Sequence, residues 1–588
     1  MVAAMGSMRD ALKTAFQSAE ESSSGVKAGQ ENPVEQRRER PIVAKTTVIP
    51  ALSEAEFRRL IKLGGRLVPN QGNEHCEQIN KPQPVRPRVN SSASSAFASP
   101  AKPTPTPAPI CTLEFSPHPR CRLDALEGKP NPLLTNVEKA GAVEQCRTTT
   151  THDEREVAFG LDFGTSSVKV VIGDMALDKA FAVPFCKADG LGAFLLPTRV
   201  YQTGDVFSLI AGDVVHRDLK LSFMAQPDNR DNQIRIVAFL ALVIARARGW
   251  LFTKHLLTYK NTNILWKLSV GLPTANSLEI EIAGCLRRLI YVAWQFAATP
   301  QNLTEQSINE VLNKLNDADN ETSSLDVAVV PEIAAQIYGF VVSNSFDKKA
   351  ANIYLMVDVG AGTVDSSLFK VKPGKGGKWD FEFYTAAVEP HGVSNLHRHR
   401  VNWWSHWLEN SNASKDLVAE MMASKFDTDH QIPLPEKFTS YFDGIKVKMG
   451  NSAVTPDVDF FDNRVVTQVR GKTIWRAWKN NLLDQGSLQG VPFFMCGGGA
   501  RMEYYRALEA ELAPKPSFLW LQAEAWTMGV PGDLIAEGLD DADYDRISVA
   551  YGLSRLEVGK VIKAVPLPIV AIEPVDTWRE NYVDKDQC

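Results

Sequence analysis

The sequence predicts an α/β protein preceded by a long disordered N-terminal region, and three observations predict it. From Glu156 onward, apolar strand-like runs alternate with helical ones, the pattern of sheets covered by helices. All twelve Trp and all twelve Tyr lie beyond residue 155, whereas sixteen of the 34 Pro lie before it. Two strand–Asp–Gly–Thr turns recur nearly two hundred residues apart, one near Asp162 and one near Asp358.

A chain of 588 residues is too long for one small module, and 44% hydrophobic with 23% charged residues is ordinary for a globular protein with a sizeable core. Lys+Arg 64 against Asp+Glu 69 gives a net charge of -5, so nothing advertises binding to nucleic acid. The apolar stretch Ile236 to Ala245 is short for a bilayer and is flanked by Arg235 and Arg246, so no membrane span is expected. The first residues lack an apolar core followed by a small-residue cleavage site, and the expected compartment is the cytoplasm. Eight Cys are too few for a disulfide framework, and Cys76, Cys111, Cys121 and Cys146 lack the close pairing of a zinc site.

Residues 1–155 lack the large side chains that offset ordering entropy and are read as disordered. Within them, Ser91 to Pro109 alternates Pro with small residues as an extended spacer. Short helical signals fall at Met8–Ala19 and Ser53–Leu63, either transient or able to dock on a partner.

Val157–Ile172 reads as a strand, a turn of Gly and hydroxyl residues, and a second strand. Asp162 would end the first strand facing a metal ion, while Gly164, Thr165 and Ser166 let backbone N–H groups approach phosphate; a plain hairpin is the alternative. Ile353–Phe369 repeats the design with Asp358, Gly360, Ala361, Gly362, Thr363 and Asp365. Two such hairpins facing each other would clamp a polyphosphate. A third loop, Gly497, Gly498 and Gly499 with Arg501, follows the apolar run Val491–Cys496 and could admit a flat ring or a phosphate, or simply form a tight turn. His391, His397, His399 and His406 lie within sixteen residues but lack the i, i+4 pairing of a helical zinc set; with Trp403, Trp404 and Trp407 they read as a packed helix.

In this order, Asp162–Ser166, Asp358–Asp365 and Gly498–Arg501 resemble the ATPase superfamily of actin, the seventy-kilodalton heat-shock chaperones and the sugar kinases, with the chaperone nucleotide-binding domain nearest. The likeness runs from about Val157 to Ser554 and departs from the pattern at Ala361, where the family has glycine. Lys267–Thr274, Val329–Phe340, Gly392–Glu409 and Val549–Ser554 resemble elements between and after the loops. The resemblance implies a two-lobed actin-like (ribonuclease H-like) fold, with lobe I at 156–346, lobe II at 347–544 and a return to lobe I at 545–588.

It also implies ATP and Mg²⁺ as ligands. Asp162 and Asp358 would hold the Mg²⁺ water shell, and Thr165, Ser166 and Thr363 would bond phosphate oxygens, Thr363 also orienting the attacking water. Lys220 would reach the β/γ-phosphates, unless it is a surface lysine. Glu332 would polarise water, although an alignment anchored on Pro331 and Tyr338–Gly339 puts Val330 at that position. Arg501 would stack on the base, and Asp443, Lys446 and Lys448 would either replace a charged helix near the ribose or form a solvated helical face.

The implied function is a chaperone-like, Mg-dependent ATP hydrolase or ATP-binding switch whose two lobes rotate. Only 36 residues follow Gly552, too few for the chaperones' peptide-binding domain, so the tail would recruit any client or protein partner. An actin-like filament former and a small-molecule kinase are the alternatives.

Overall fold

The alternating runs form a mixed α/β fold with several sheets. The structure is a computed structural model that describes residues 47–48, 111–122, 154–260, 262–273, 280–298, 303–314, 325–411, 413–424, 434–450, 453–513 and 522–564. From the N-terminal region come β1 (Thr47–Val48) and β2 (Cys111–Cys121). β3 (Glu154–Phe163), β4 (Ser167–Asp174) and β5 (Lys179–Ala182) form an antiparallel meander. β6 (Leu196–Pro197) joins β4, while β7 (Val200–Thr203), β8 (Val206–Ser208) and β9 (Val214–His216) make a small sheet to which β1 adds. β10 (Asn263–Leu272) lies parallel to β3, and β11 (Asp326–Pro331) parallel to β10.

The second large sheet repeats this plan. β12 (Ile353–Val359), β13 (Val364–Pro373) and β14 (Trp379–Glu389) form a meander, and β15 (Phe442–Met449) departs to pair with β2. β16 (Gln489–Cys496) then pairs parallel with β12, and β17 (Gln522–Trp526) with β16. Numbering the five principal strands of each sheet in their own chain order, both read 3-2-1-4-5 across the sheet. β18 (Leu534–Ile535) extends the first sheet beside β5, and β19 (Val558–Lys563) extends the second beside β14. Parallel strands buried on both faces need near-continuous apolar sequence, which Val157–Phe163 and Tyr354–Val357 supply.

Six helices build the core or bear on the site: α1 (Leu219–Ala225), α2 (Arg230–Lys254), α3 (Ile280–Ala298), α4 (Glu332–Gln336), α5 (Val393–Asn410) and α6 (Ser548–Arg555). The Asn229 side chain caps α2 by accepting from the Asn232 N–H, satisfying one donor that the first turn leaves open. α2 contains Ile236–Ala245 and is long and apolar enough to cross a bilayer, but 72% of its most apolar window is buried inside the protein. It packs with α3 in the core beside the first sheet. All eight residues of α6 are buried; it rests on β3, β4 and α4.

Two expectations are corrected here. Parts of the region expected to be disordered are strands: β3 starts at Glu154, and β2 runs antiparallel to β15, more than 300 residues away in sequence. Pro117 and Pro119 cannot donate to a ladder, which suits β2 to an edge with a single neighbour. Cys111 and Cys121 are buried at its two ends, and Cys121 joins an apolar cluster with Trp404 and Phe442. Second, Asp443, Lys446 and Lys448 lie on strand β15, not on a helix. Arg122 donates to Asp443, and Lys448 pairs with Glu114, so two of these charges serve the strand pairing. The segments Met8–Ala19, Ser53–Leu63 and Ser91–Pro109, with Cys76 and Cys146, lie outside the described residues.

Candidate functional site

The carboxyl ends of parallel strands carry the charged residues. Asp162 is the penultimate residue of β3, Glu332 follows β11 directly, and Asp358 is penultimate in β12, register partner of Cys496, after which Gly497–Gly499 begin. Strand ends of this kind open crevices in α/β proteins, because the chain must turn away from the sheet there.

The two Asp–Gly–Thr turns meet. A Cβ built on Gly362 would stand 3.3 Å from Thr165 Cγ2 and 3.1 Å from Leu221 Cδ1, so the tip of the second hairpin touches that of the first. In the second turn the Gly360 N–H donates to Thr363 O at 2.9 Å. The carbonyls of Gly360 and Ala361 accept from the Val393 and Ser394 N–H groups at 3.1 and 2.8 Å, and that of Gly362 from Asn395 Nδ2 at 2.6 Å. The first turn of α5 thus spends its open donors on this loop. In a trans peptide each N–H opposes the preceding carbonyl, so the N–H groups of Ala361, Gly362 and Thr363 face away from α5. In the first turn, Thr198 holds Gly164 O through its hydroxyl at 2.8 Å and Ser166 O through its N–H at 2.9 Å. Both loops are therefore fixed from behind.

Charge pairing then separates the predicted residues into those brought together and those turned elsewhere. Lys220, buried on α1, forms an ion pair with Glu332 on α4. Val330, the alternative to Glu332, is buried in an apolar cluster, so Glu332 is the acid that faces the lysine. Lys169 Nζ lies 2.9 Å from Asp162 Oδ2, as the Asp162–Lys169 register places them side by side. Asp358 accepts from Gln336 Nε2 at 3.3 Å. Burial, then the negative charges of Glu332 and Asp162, push the Asp358 carboxyl up to about 6. Burial also raises Glu332; Lys220 opposes that rise and Asp162 adds to it. The three acids are close enough to feel one another.

Gly497 ties the third loop to this group. Its φ of +87° is the left-handed region that favours glycine, and a Cβ there would stand 2.1 Å from Asp358 Oδ1. Arg501 does not reach over the site as a free cation: it pairs with Asp543 and, at 2.7 Å, with Asp545. Arg546 is the guanidinium that lies over Gly498. The four histidines disperse, His391 to Gln468, His397 to Tyr441, His399 to Asp459 and His406 to Asn410. A cavity of about 790 Å³ between Gly339–Ser345 and Ala525–Asp533 includes none of the site residues.

Lys169, Gln336 and Arg546 escaped the sequence reading. The hairpin register points to Lys169, and helical spacing of four from Glu332 points to Gln336; no local signal marks Arg546.

Among the described residues, no three His, Cys, Asp or Glu side chains converge closely enough to cage a metal directly. The donor set nevertheless fits a hydrated Mg²⁺, which keeps most of its waters and takes few carboxylates. Asp358 would accept from such waters, and Gln336 Oε1, buried with no partner, is a second acceptor beside it. No family model matches the chain, and no curated protein matches its sequence.

Proposed function

We propose that the chain is a two-lobed, actin-like ATP-binding protein nearest to the chaperone nucleotide-binding domain, in which Mg²⁺-ATP bridges the lobes and its hydrolysis drives a conformational switch. The observation that carries this reading is the tip-to-tip meeting of the two Asp–Gly–Thr turns, each from a sheet of the same 3-2-1-4-5 order. Duplicated sheets with matching acidic turns suit a ligand with several phosphates, since each turn offers backbone donors to one side of it.

The residues divide the work. The amides of Ala361, Gly362 and Thr363, with Thr165 and Ser166, bind phosphate oxygens. Asp162 and Asp358 would hold a hydrated Mg²⁺, which would supply charge neutralisation on the phosphates. Lys220 sets the position of Glu332 through their ion pair, and Glu332 accepts a proton from the attacking water. Burial raises the proton affinity of Glu332, bringing it nearer to that task.

The test is phosphate release by the full chain. Mg-dependent release is expected, and Glu332→Gln should slow it by about 10²–10⁴-fold, the usual worth of a positioned base. Release at the unaltered rate in Glu332→Gln would remove Glu332 from catalysis.

A further inference from the structure

We infer that Arg546 supplies a cationic contact to a nucleotide phosphate at the glycine loop, beside which the sequence motif places Arg501 to stack on the base. This inference rests on the nucleotide reading above.

It follows from an account of the positive charges around the site. Lys169 is neutralised by Asp162, Lys220 by Glu332, and Arg501 by Asp543 and Asp545. The Arg546 side chain makes no hydrogen bond or ion pair among the described residues. Its neighbour Asp545 is spent on Arg501, so the nearest acid in sequence does not serve it.

The position is specific. A Cβ built on Gly498 would stand 3.1 Å from Arg546 Cζ and Nη2 and 3.2 Å from Nη1. Nearly equal distances to three guanidinium atoms mean that the group lies flat on the glycine, and any side chain at 498 would displace it. One residue earlier, Gly497 abuts Asp358, which belongs to the second Asp–Gly–Thr turn. Arg546 therefore stands where the glycine loop meets the phosphate-binding turn. Burial disfavours its charged form, while Asp545, Asp358 and Asp162 favour it without bonding to it.

A partly buried guanidinium that bonds to none of the acids near it is costly, and a phosphate offsets that cost with paired, charge-assisted hydrogen bonds. The planar fork of arginine matches two phosphate oxygens at once. Arg501, clamped by two carboxylates, instead pins the glycine loop to the 541–546 turn.

The experiment is calorimetric titration of the full chain with ATP, ADP and adenosine in Mg²⁺, for the unaltered protein, Arg546→Gln and Arg546→Lys. Melting in nucleotide-free buffer checks that each variant is folded. Arg546→Gln should weaken ATP and ADP at least about tenfold and leave adenosine within about twofold, with Arg546→Lys intermediate, since lysine keeps the charge but not the fork. If Arg546→Gln does not fold, the inference stands or falls on a loss of ATP affinity in Arg546→Lys. Unchanged ATP affinity overturns the inference alone, as does an equal loss for adenosine, which would mean base stacking. No ATP binding by the unaltered chain overturns the nucleotide reading and this inference with it.

Discussion

Replacing Lys220 with Ala is expected to lower the unfolding free energy by about 3–5 kcal/mol at neutral pH, the usual cost of stranding one partner of a buried ion pair. The lysine and glutamate side chains are 6% and 14% exposed, so solvent cannot take over the role of the lost partner. Without the ammonium, Glu332 would face Asp162 and Asp358 with only Lys169, itself paired with Asp162, to oppose them. The double variant Lys220→Ala/Glu332→Gln should recover most of the loss, because it removes the stranded charge and keeps the side-chain volume. Lowering the pH should also rescue the single variant. Glu332 binds its proton more tightly folded than unfolded, so its contribution is fully present at low pH and is lost as pH rises. Urea unfolding across pH measures both effects; a single variant as stable as the parent at neutral pH would show that the pair does not form.

Asp358→Asn is expected to act in the opposite direction on stability while removing a function. The carboxyl is raised from 3.8 to about 6 in the folded chain. A raised acid contributes stability that is complete below its unfolded value and disappears as pH climbs through the folded value. Between about pH 4 and 6 the ligand-free protein should therefore lose up to about 3 kcal/mol from this one group. Asparagine carries no charge to desolvate, so the variant should be about 1–3 kcal/mol more stable than the parent at neutral pH, with a flatter pH dependence over that window. Melting curves in metal-free buffer check this. A variant that melts below the parent at neutral pH would mean that Asp358 is stabilised as a carboxylate by something other than a bound cation. A buried acid that costs stability is the usual trade between function and folding.

The sheets were legible because their information is local. Val157–Ile172 and Ile353–Phe369 carry apolar strands, an acid and a glycine turn within seventeen residues, and the hairpins form from Glu154–Phe163 with Ser167–Asp174 and from Ile353–Val359 with Val364–Pro373. β2 was not legible. Its sequence contains two prolines and mostly exposed positions, and it is a strand only because β15 offers an edge more than 300 residues later. The same distance misled the reading of Asp443 and Lys448, whose charges look like a helical face until Arg122 and Glu114 lie opposite them. Arg501 and Arg546 illustrate the limit at the site itself. A motif places an arginine after the glycine loop, but which arginine keeps an unpaired charge depends on where Asp543 and Asp545 fold. Pairing of charges is a property of the packed structure, and composition does not contain it.

In the proposed reading, two distant acidic turns grip one nucleotide. Titration of the full chain with ATP and Mg²⁺ tests it most directly, using Asp162→Ala and Asp358→Ala for comparison. A single site is expected in the parent, with affinity at least about tenfold weaker in each variant, about 1.4 kcal/mol or more. Unchanged affinity in both variants, or no binding by the parent, would contradict it.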